Sequence, residues 1–304
     1  MTLPNFIYIG PAKAGSTWLH ETLVGHPDIY LPAVKDLHFF NRYYERGVDW
    51  YAGHFASARA EQGVIGEVCQ SYLATPEAAE RMSSCLGKDL RLMVTLRNPV
   101  QRAFSHYLYM LRQGERPQSF HDALVNRGSL IKQSRYARDL RRYLRYFPRE
   151  SIYLGVFEDL RANPQAFLDD VLTWLRVAPM TLTSAQRNAR LPASKARSRS
   201  AARTLHRSAL WARNRDRATW VGWLKRSRLV ERLFYQRVDE TPTMTEADAA
   251  YIRAMLDDDV SRLEDTFGTA LRTRWGWPEV APTGVDDTVA QQGRCHQEVS
   301  GTAP

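Results

Sequence analysis

Short apolar, β-prone runs recur at Phe6–Ile9, Val64–Val68, Leu90–Leu96 and Ile152–Phe157, each bounded by Gly, Pro, Asn or charged residues. Runs of this kind mark strands buried on both faces. Between them, apolar positions take helical spacing over Ser16–Val24, Pro76–Cys85, Val100–Arg112 and Pro164–Leu175. The β-α-β-α alternation predicts an α/β fold, a three-layer sandwich with a central parallel sheet and helices on both faces. Near the C-terminus, Thr245-Glu246-Ala247-Asp248 reads as a capping box. It opens a helix whose stripe of Tyr251, Ile252, Met255, Leu256, Val260, Leu263 and Phe267 serves packing.

Composition narrows the class without changing this picture. A chain of 304 residues with 44% hydrophobic and 25% charged residues is neither disordered nor fibrous. No apolar run approaches the roughly 18 to 20 residues needed to cross a bilayer. The chain enters its first strand almost at once, with no basic leader and no small-residue cleavage site, so no secretory signal is expected and a cytoplasmic location is. Cys69, Cys85 and Cys295 fall in no CxxC or Cys/His pattern and read as reduced bystanders, with neither disulfide framework nor structural zinc.

The net charge of +9 is local: Arg187 to Arg237 carries 15 basic and 2 acidic residues, and the rest of the chain is net negative. This stretch reads either as a solvated helical face or as an attractor of polyanions. One domain is expected over residues 1–282, with a helical basic insertion at about 197–237 that holds Trp211, Trp220 and Trp223, and a frayed polar tail over 283–304.

The most informative residues are Gly10-Pro11-Ala12-Lys13-Ala14-Gly15-Ser16-Thr17, directly after the first strand and opening the first helix. Small residues let backbone N–H groups approach an anion, and the helix N-terminus adds partial positive charge. The spacing G-x-x-x-x-G followed by Ser-Thr imitates a Walker A loop, but Ser16 stands where its lysine belongs, and Lys13 lies two residues before Gly15. A P-loop kinase or NTPase needs that lysine and a magnesium carboxylate. A nucleic-acid-binding module built on the Arg- and Trp-rich segment is the other alternative, without a recognised reader motif to support it.

Further along come His26-Pro27, then Lys35-Asp36-Leu37-His38-Phe39-Phe40, then Leu96-Arg97-Asn98-Pro99-Val100-Gln101-Arg102-Ala103-Phe104-Ser105-His106-Tyr107. In this order, together with the loop, they resemble the sulfotransferases that use 3′-phosphoadenosine 5′-phosphosulfate. The likeness is greatest to the branch holding the heparan sulfate sulfotransferases and their soluble bacterial relatives, and runs over roughly Phe6 to Trp275 outside the insertion. The resemblance implies a P-loop-type fold and that nucleotide donor as co-substrate. It puts Ala12, Lys13, Ala14, Gly15, Ser16 and Thr17 on the donor's 5′ side, and Arg97 and Ser105 on its 3′-phosphate, a dianion suited to a guanidinium fork beside a hydroxyl. Arg102 and Tyr107 are assigned to packing. Ser194-Lys195-Ala196-Arg197-Ser198 resembles a Ser-Lys-Gly-Arg loop that closes over the nucleotide, with Ala196 in place of glycine. Lys195 and Arg197 read equally as a solvated basic face.

Asp36 and His38 stand two residues apart, and an extended segment would point both to one side. The resemblance makes Asp36, where relatives carry glutamate, the general base on an acceptor hydroxyl. His38, whose ordinary pKa of about 6.5 lies near neutrality, is the competing or assisting base. Lys13 then stabilises charge on the leaving oxygen, and no metal is called for. At Glu67-Val68-Cys69-Gln70 the sequence lacks the lysine typical of the heparan branch, so heparan sulfate is not implied. The acceptor is expected to be a saccharide, lipid-linked sugar or small hydroxylated metabolite, sulfated at a hydroxyl or an amine, with Glu67 lining its cleft.

Overall fold

The computed structural model describes residues 1–115, 117–187 and 242–277, with the backbone of the pairs 195–196 and 235–236. Five strands form one sheet: β1 (Phe6–Gly10), β2 (Ile29–Tyr30), β3 (Val64–Val68), β4 (Arg91–Leu96) and β5 (Ile152–Val156). Their order is β2-β3-β1-β4-β5 and every pairing is parallel. The four expected strands are present within a residue or so of their expected ends. The two-residue edge strand β2 is too short to leave a periodic signal.

All five residues of β1 are buried, which requires cover on both faces. On one face Phe6, Tyr8, Val64, Val68 and Met93 pack with Leu19 and Leu23 of the helix Ser16–Leu23 and with Leu168, Val171, Leu172 and Leu175 of the helix Pro164–Leu175. On the other face Ile7, Ile9, Leu92, Val94 and Leu96 are equally buried. The helix Tyr136–Tyr143 is tied to that side, Tyr136 Oη donating to Arg97 O at 2.9 Å and Tyr143 Oη to Tyr72 O at 2.9 Å. The helix Pro99–Arg112 opens on Asn98, whose side chain accepts the Val100 N–H, with proline in the first turn.

The capping box at Thr245 forms with both its hydrogen bonds and opens the helix Glu246–Phe267. Its buried stripe is Ile252, Leu256, Val260, Leu263 and Phe267, whereas Met255, assigned to that stripe, is 42% exposed. The stripe advances by four, four, three and four residues, which passes over residue 255. A separate C-terminal unit starts at Ala270 and holds the short helix Leu271–Trp275 and the paired rings of Trp275 and Trp277. Most of the 197–237 insertion, the 283–304 tail, Cys295 and the side chains of Lys195 and Arg197 lie outside the described residues. The Lys195–Ala196 backbone pairs antiparallel with Tyr235–Gln236 and runs beside the Pro99–Arg112 helix.

β1 is central: the chain runs from it out to β2 and back to β3 on one side, then crosses to β4 and β5 on the other. The carboxyl ends beside such a switch point are where open α/β sheets gather ligands.

Candidate active site

The turn after β1 meets two steric demands that its sequence satisfies. Gly10 has φ 121°, and a Cβ there would stand 2.6 Å from Gln70 O, so the turn after β3 rests directly on this one. Gly15 has φ 94° and caps the first helix, and a Cβ would stand 2.8 Å from Leu160 Cδ2. Gly15→Ala is therefore expected to destabilise the fold by about 1–3 kcal/mol, read as a fall in urea midpoint at unchanged slope; an unshifted midpoint would contradict the tight packing. The helix Ser16–Leu23 has no side-chain cap and no acidic residue in its first turn. Its N-terminal dipole thus keeps its attraction for an outside anion.

Lys13 lies inside this turn with φ 72°. Its Nζ sits 4.5 Å above the Tyr109 ring. Burial first, then the charges of Arg97, Arg112, Lys35 and Arg102, push the ammonium down to about 8. Cations crowded to this degree repel one another and favour an anionic guest. Ser105 is half-buried and shares a helical stripe with Tyr109 and Arg112 at i, i+4 and i+7, so the stripe that meets Lys13 also carries Ser105. His106, on the same helix, is pushed down to about 4 by burial, with Arg102 and Lys13 adding to the effect.

Arg97 joins the two elements. Its Nη1 donates to Lys13 O at 2.7 Å, and its guanidinium lies 4.5 Å from the Phe157 ring centre. Its Nε is buried with no hydrogen-bond partner among the described residues. Burial lowers its pKa to about 10 despite the nearby Glu158 carboxylate. Arg102, by contrast, is wholly buried and bonds Ser134 Oγ and Leu130 O, which is packing.

The third part is the turn Asp36-Leu37-His38. It is not extended as expected. Asp36 and His38 both take left-handed backbone, φ 63° and 61°, so the two-residue alternation that would align their side chains does not apply. They stay coupled nonetheless: burial would raise the Asp36 carboxyl, but the Lys35 ammonium at 2.6 Å, the Gln70 N–H at 3.0 Å and the nearby His38 outweigh it and hold Asp36 below its ordinary value. His38 Nδ1 lies 3.1 Å from Ser71 Oγ, which also accepts from Asn41 Nδ2 at 2.9 Å. Among the described residues, four that are not glycine have positive φ: Lys13, Asp36, His38 and Arg176. Three of them are residues singled out from the sequence, and strained backbone of this kind concentrates at functional sites.

Glu67 departs from its expected place. It is 1% exposed at the end of β3 and its carboxylate is enclosed by Tyr51, Tyr72 and the Leu37 N–H, so it lines no acceptor cleft. Tyr109, Phe157, Arg112 and His106 surround the site without having been singled out. Tyr109 and Arg112 left a signal, at i+4 and i+7 from Ser105 on a helix already assigned, and His106 stood within the quoted motif.

The family described as Sulfotransferase domain matches residues 3–238. The match thus runs through the 197–237 stretch that the motif resemblance had left out. Among curated proteins, the membrane-associated sulfotransferase kil1 of Dictyostelium discoideum is 38% identical over 121 residues, which is 39% of this chain and 26% of that protein. Human bifunctional heparan sulfate N-deacetylase/N-sulfotransferase 3 is 31% identical over 199 residues, 58% of this chain and 23% of the relative. Mouse heparan sulfate glucosamine 3-O-sulfotransferase 6 is 32% identical over 169 residues, 53% of this chain and 48% of the relative. The aligned parts thus span about a quarter to a half of these relatives. A crystal structure of a sulfotransferase from Alicyclobacillus acidocaldarius superposes with a TM-score of 0.66 at 24% identity, covering 90% of this chain and 99% of that one, which establishes the fold.

Proposed function

The chain belongs to the sulfotransferase domain family, and on that premise we propose that it moves a sulfuryl group from 3′-phosphoadenosine 5′-phosphosulfate to a hydroxyl of a saccharide or small metabolite. The observation that carries this reading is the contact of Arg97 Nη1 with Lys13 O at 2.7 Å. It brings the two anion-binding elements, at the ends of β1 and β4, to one place at the sheet's switch point. The residues fit such a donor. A turn with a glycine that admits no Cβ, an uncapped helix N-terminus, mutually repelling cations and a buried Arg97 Nε without a hydrogen-bond partner among the described residues together suit a ligand with phosphate at both ends.

The donor supplies the sulfuryl group and a nucleotide bisphosphate as leaving group. Lys13 and the N–H groups of Ala14 to Thr17 hold negative charge as it grows on the leaving oxygen. Arg97 and Ser105 fix the 3′-phosphate, and the Lys195–Ala196 backbone beside their helix suits a Lys195/Arg197 loop that closes over the nucleotide. Asp36, held ionised, accepts the acceptor's proton with His38 assisting. Incubation with radiolabelled donor and acceptors of the two classes tests the reaction: label in a hydroxylated product supports it, and donor turnover without any labelled acceptor contradicts it.

The depressed Lys13 gives a second expectation. The free ammonium loses its proton as pH rises through about 8, and a bound anion restores its preference for the charged form. Binding of 3′,5′-adenosine bisphosphate at pH 8.5 is then accompanied by proton uptake that fades below pH 7. Calorimetry in buffers of differing ionisation enthalpy reads it directly, and buffer-independent heats at pH 8.5 would contradict it.

A further inference from the structure

We propose that Glu67 is a positioning residue, whose buried carboxylate takes the Leu37 N–H and thereby sets the backbone that presents Asp36 and His38. The inference rests on the reading of those two residues as the acid-base pair.

Leu37 is the one residue between two left-handed neighbours that are not glycine, a backbone that persists only where the surroundings over-determine it. Glu67 supplies that restraint from the end of β3, where parallel pairing with Ile7 fixes its own backbone. Its Oε1 accepts Leu37 N–H at 3.1 Å and Tyr72 Oη at 2.9 Å, and its Oε2 accepts Tyr51 Oη at 2.7 Å and Tyr72 Oη at 3.1 Å. The two tyrosines extend the clamp past His38. The Tyr51 ring stacks on Phe39 with centroids 4.4 Å apart, and Tyr72 Oη meets the Phe40 N–H at 3.4 Å. Residues 37, 39 and 40 are thus all held by one buried cluster, with His38 in its middle. On the other side of the turn, the Asp36 N–H donates to Val68 O at 2.8 Å, one residue along from Glu67.

The described hydrogen-bond partners of this carboxylate are all neutral. Burial accordingly raises Glu67 to about 7, against the pull of both tyrosine hydroxyls. A carboxylate kept in a dry core without a cation is costly. Three donors converging on it from Leu37, Tyr51 and Tyr72 are what it accomplishes there.

Glu67→Gln keeps an amide oxygen for Leu37 and lets Nε2 donate to Tyr51, whereas Glu67→Leu is close in size and offers nothing. For Glu67→Leu we expect kcat to fall about 100-fold, donor KM and 3′,5′-adenosine bisphosphate affinity to stay within twofold, and the His38 ring NMR resonances, assigned with His38→Asn, to shift. Glu67→Gln should recover to within about fivefold of wild type with His38 near its native position in the spectrum. If Glu67→Leu does not fold, Tyr72→Phe takes its place, with an expected tenfold loss in kcat at unchanged bisphosphate affinity. Equal losses in Glu67→Gln and Glu67→Leu, or a His38 spectrum unmoved in Glu67→Leu or its Tyr72→Phe substitute, would overturn the proposal. Because the spectrum and the bisphosphate affinity need no turnover, they decide the matter even if the wild-type protein transfers no sulfuryl group, an outcome that would refute the proposed reaction alone.

Discussion

Lys13→Ala is expected to abolish sulfuryl transfer, with kcat down at least about a thousandfold, while the protein remains as stable as the wild type or becomes slightly more so. Removing one neutral donor from an oxyanion-type site costs about 10²–10³ in rate, and in the proposed reaction the donor is a cation facing the leaving oxygen. A thousandfold corresponds to about 4 kcal/mol of transition-state stabilisation. The stability half of the prediction follows from the neighbours of Lys13. Burial first, and then the charges of Arg97, Arg112, Lys35 and Arg102, push its pKa down, so its charge is unfavourable in the ligand-free fold. Its loss relieves that penalty at the expense of a cation–π contact with Tyr109, which at a partly exposed site is worth about 0.5–1 kcal/mol. A variant that turns over at near wild-type rate would refute the role of Lys13. A variant that unfolds would refute the claim that the site, and not the fold, depends on it.

Arg97→Ala should separate two nucleotides that differ only at the 3′ position. Truncating one partner of a buried charge-assisted contact costs about 2–5 kcal/mol, so affinity for 3′,5′-adenosine bisphosphate should fall at least about 100-fold, given roughly tenfold per 1.4 kcal/mol. Adenosine 5′-monophosphate, which lacks the phosphate that Arg97 is assigned, should lose less than tenfold. Calorimetric titration of both ligands against wild type and variant gives the four affinities. Equal losses for the two would show that Arg97 supports the turn through Lys13 O without reading the 3′-phosphate. Ser105→Ala should follow the same pattern with a smaller loss, since the contact proposed for its hydroxyl is one hydrogen bond and that for the guanidinium is charge-assisted.

The sheet was legible because burial on both faces leaves unbroken apolar runs, and β1, β3, β4 and β5 carry them. The pair Ile29–Tyr30 carries none, and its place at the edge is fixed by pairing to Val64 and Ile65, a long-range contact without a local signature. The turn after β1 was legible because glycine is demanded at fixed points. What could not be read there was the crowding around it, since Phe157 and Tyr109 come from different parts of the chain and meet Arg97 and Lys13 only after the sheet has assembled. The Asp36–His38 segment misled in geometry. Alternation presumes strand dihedrals, and the hydrogen bonds from Leu37 to Glu67 and from Gln70 to Asp36 hold a left-handed turn instead. Glu67 lies within the run Val64–Val68 that reads as a buried strand, and the tyrosines 16 residues before and five after it, which give its carboxylate partners there, leave no local signature.

The central claim is that the turn after β1 and the Arg97/Ser105 element hold one nucleotide carrying phosphate at both its 3′ and 5′ positions. Thermal unfolding of the wild-type protein with 3′,5′-adenosine bisphosphate, with ATP plus magnesium, and with oligonucleotides tests it most directly. At a hundredfold excess over Kd a ligand stabilises by about 2.7 kcal/mol, which for a domain of this size raises Tm by about 5 °C or more. That shift is predicted with the bisphosphate alone. No shift with the bisphosphate, or an equal one with ATP plus magnesium, would contradict the account.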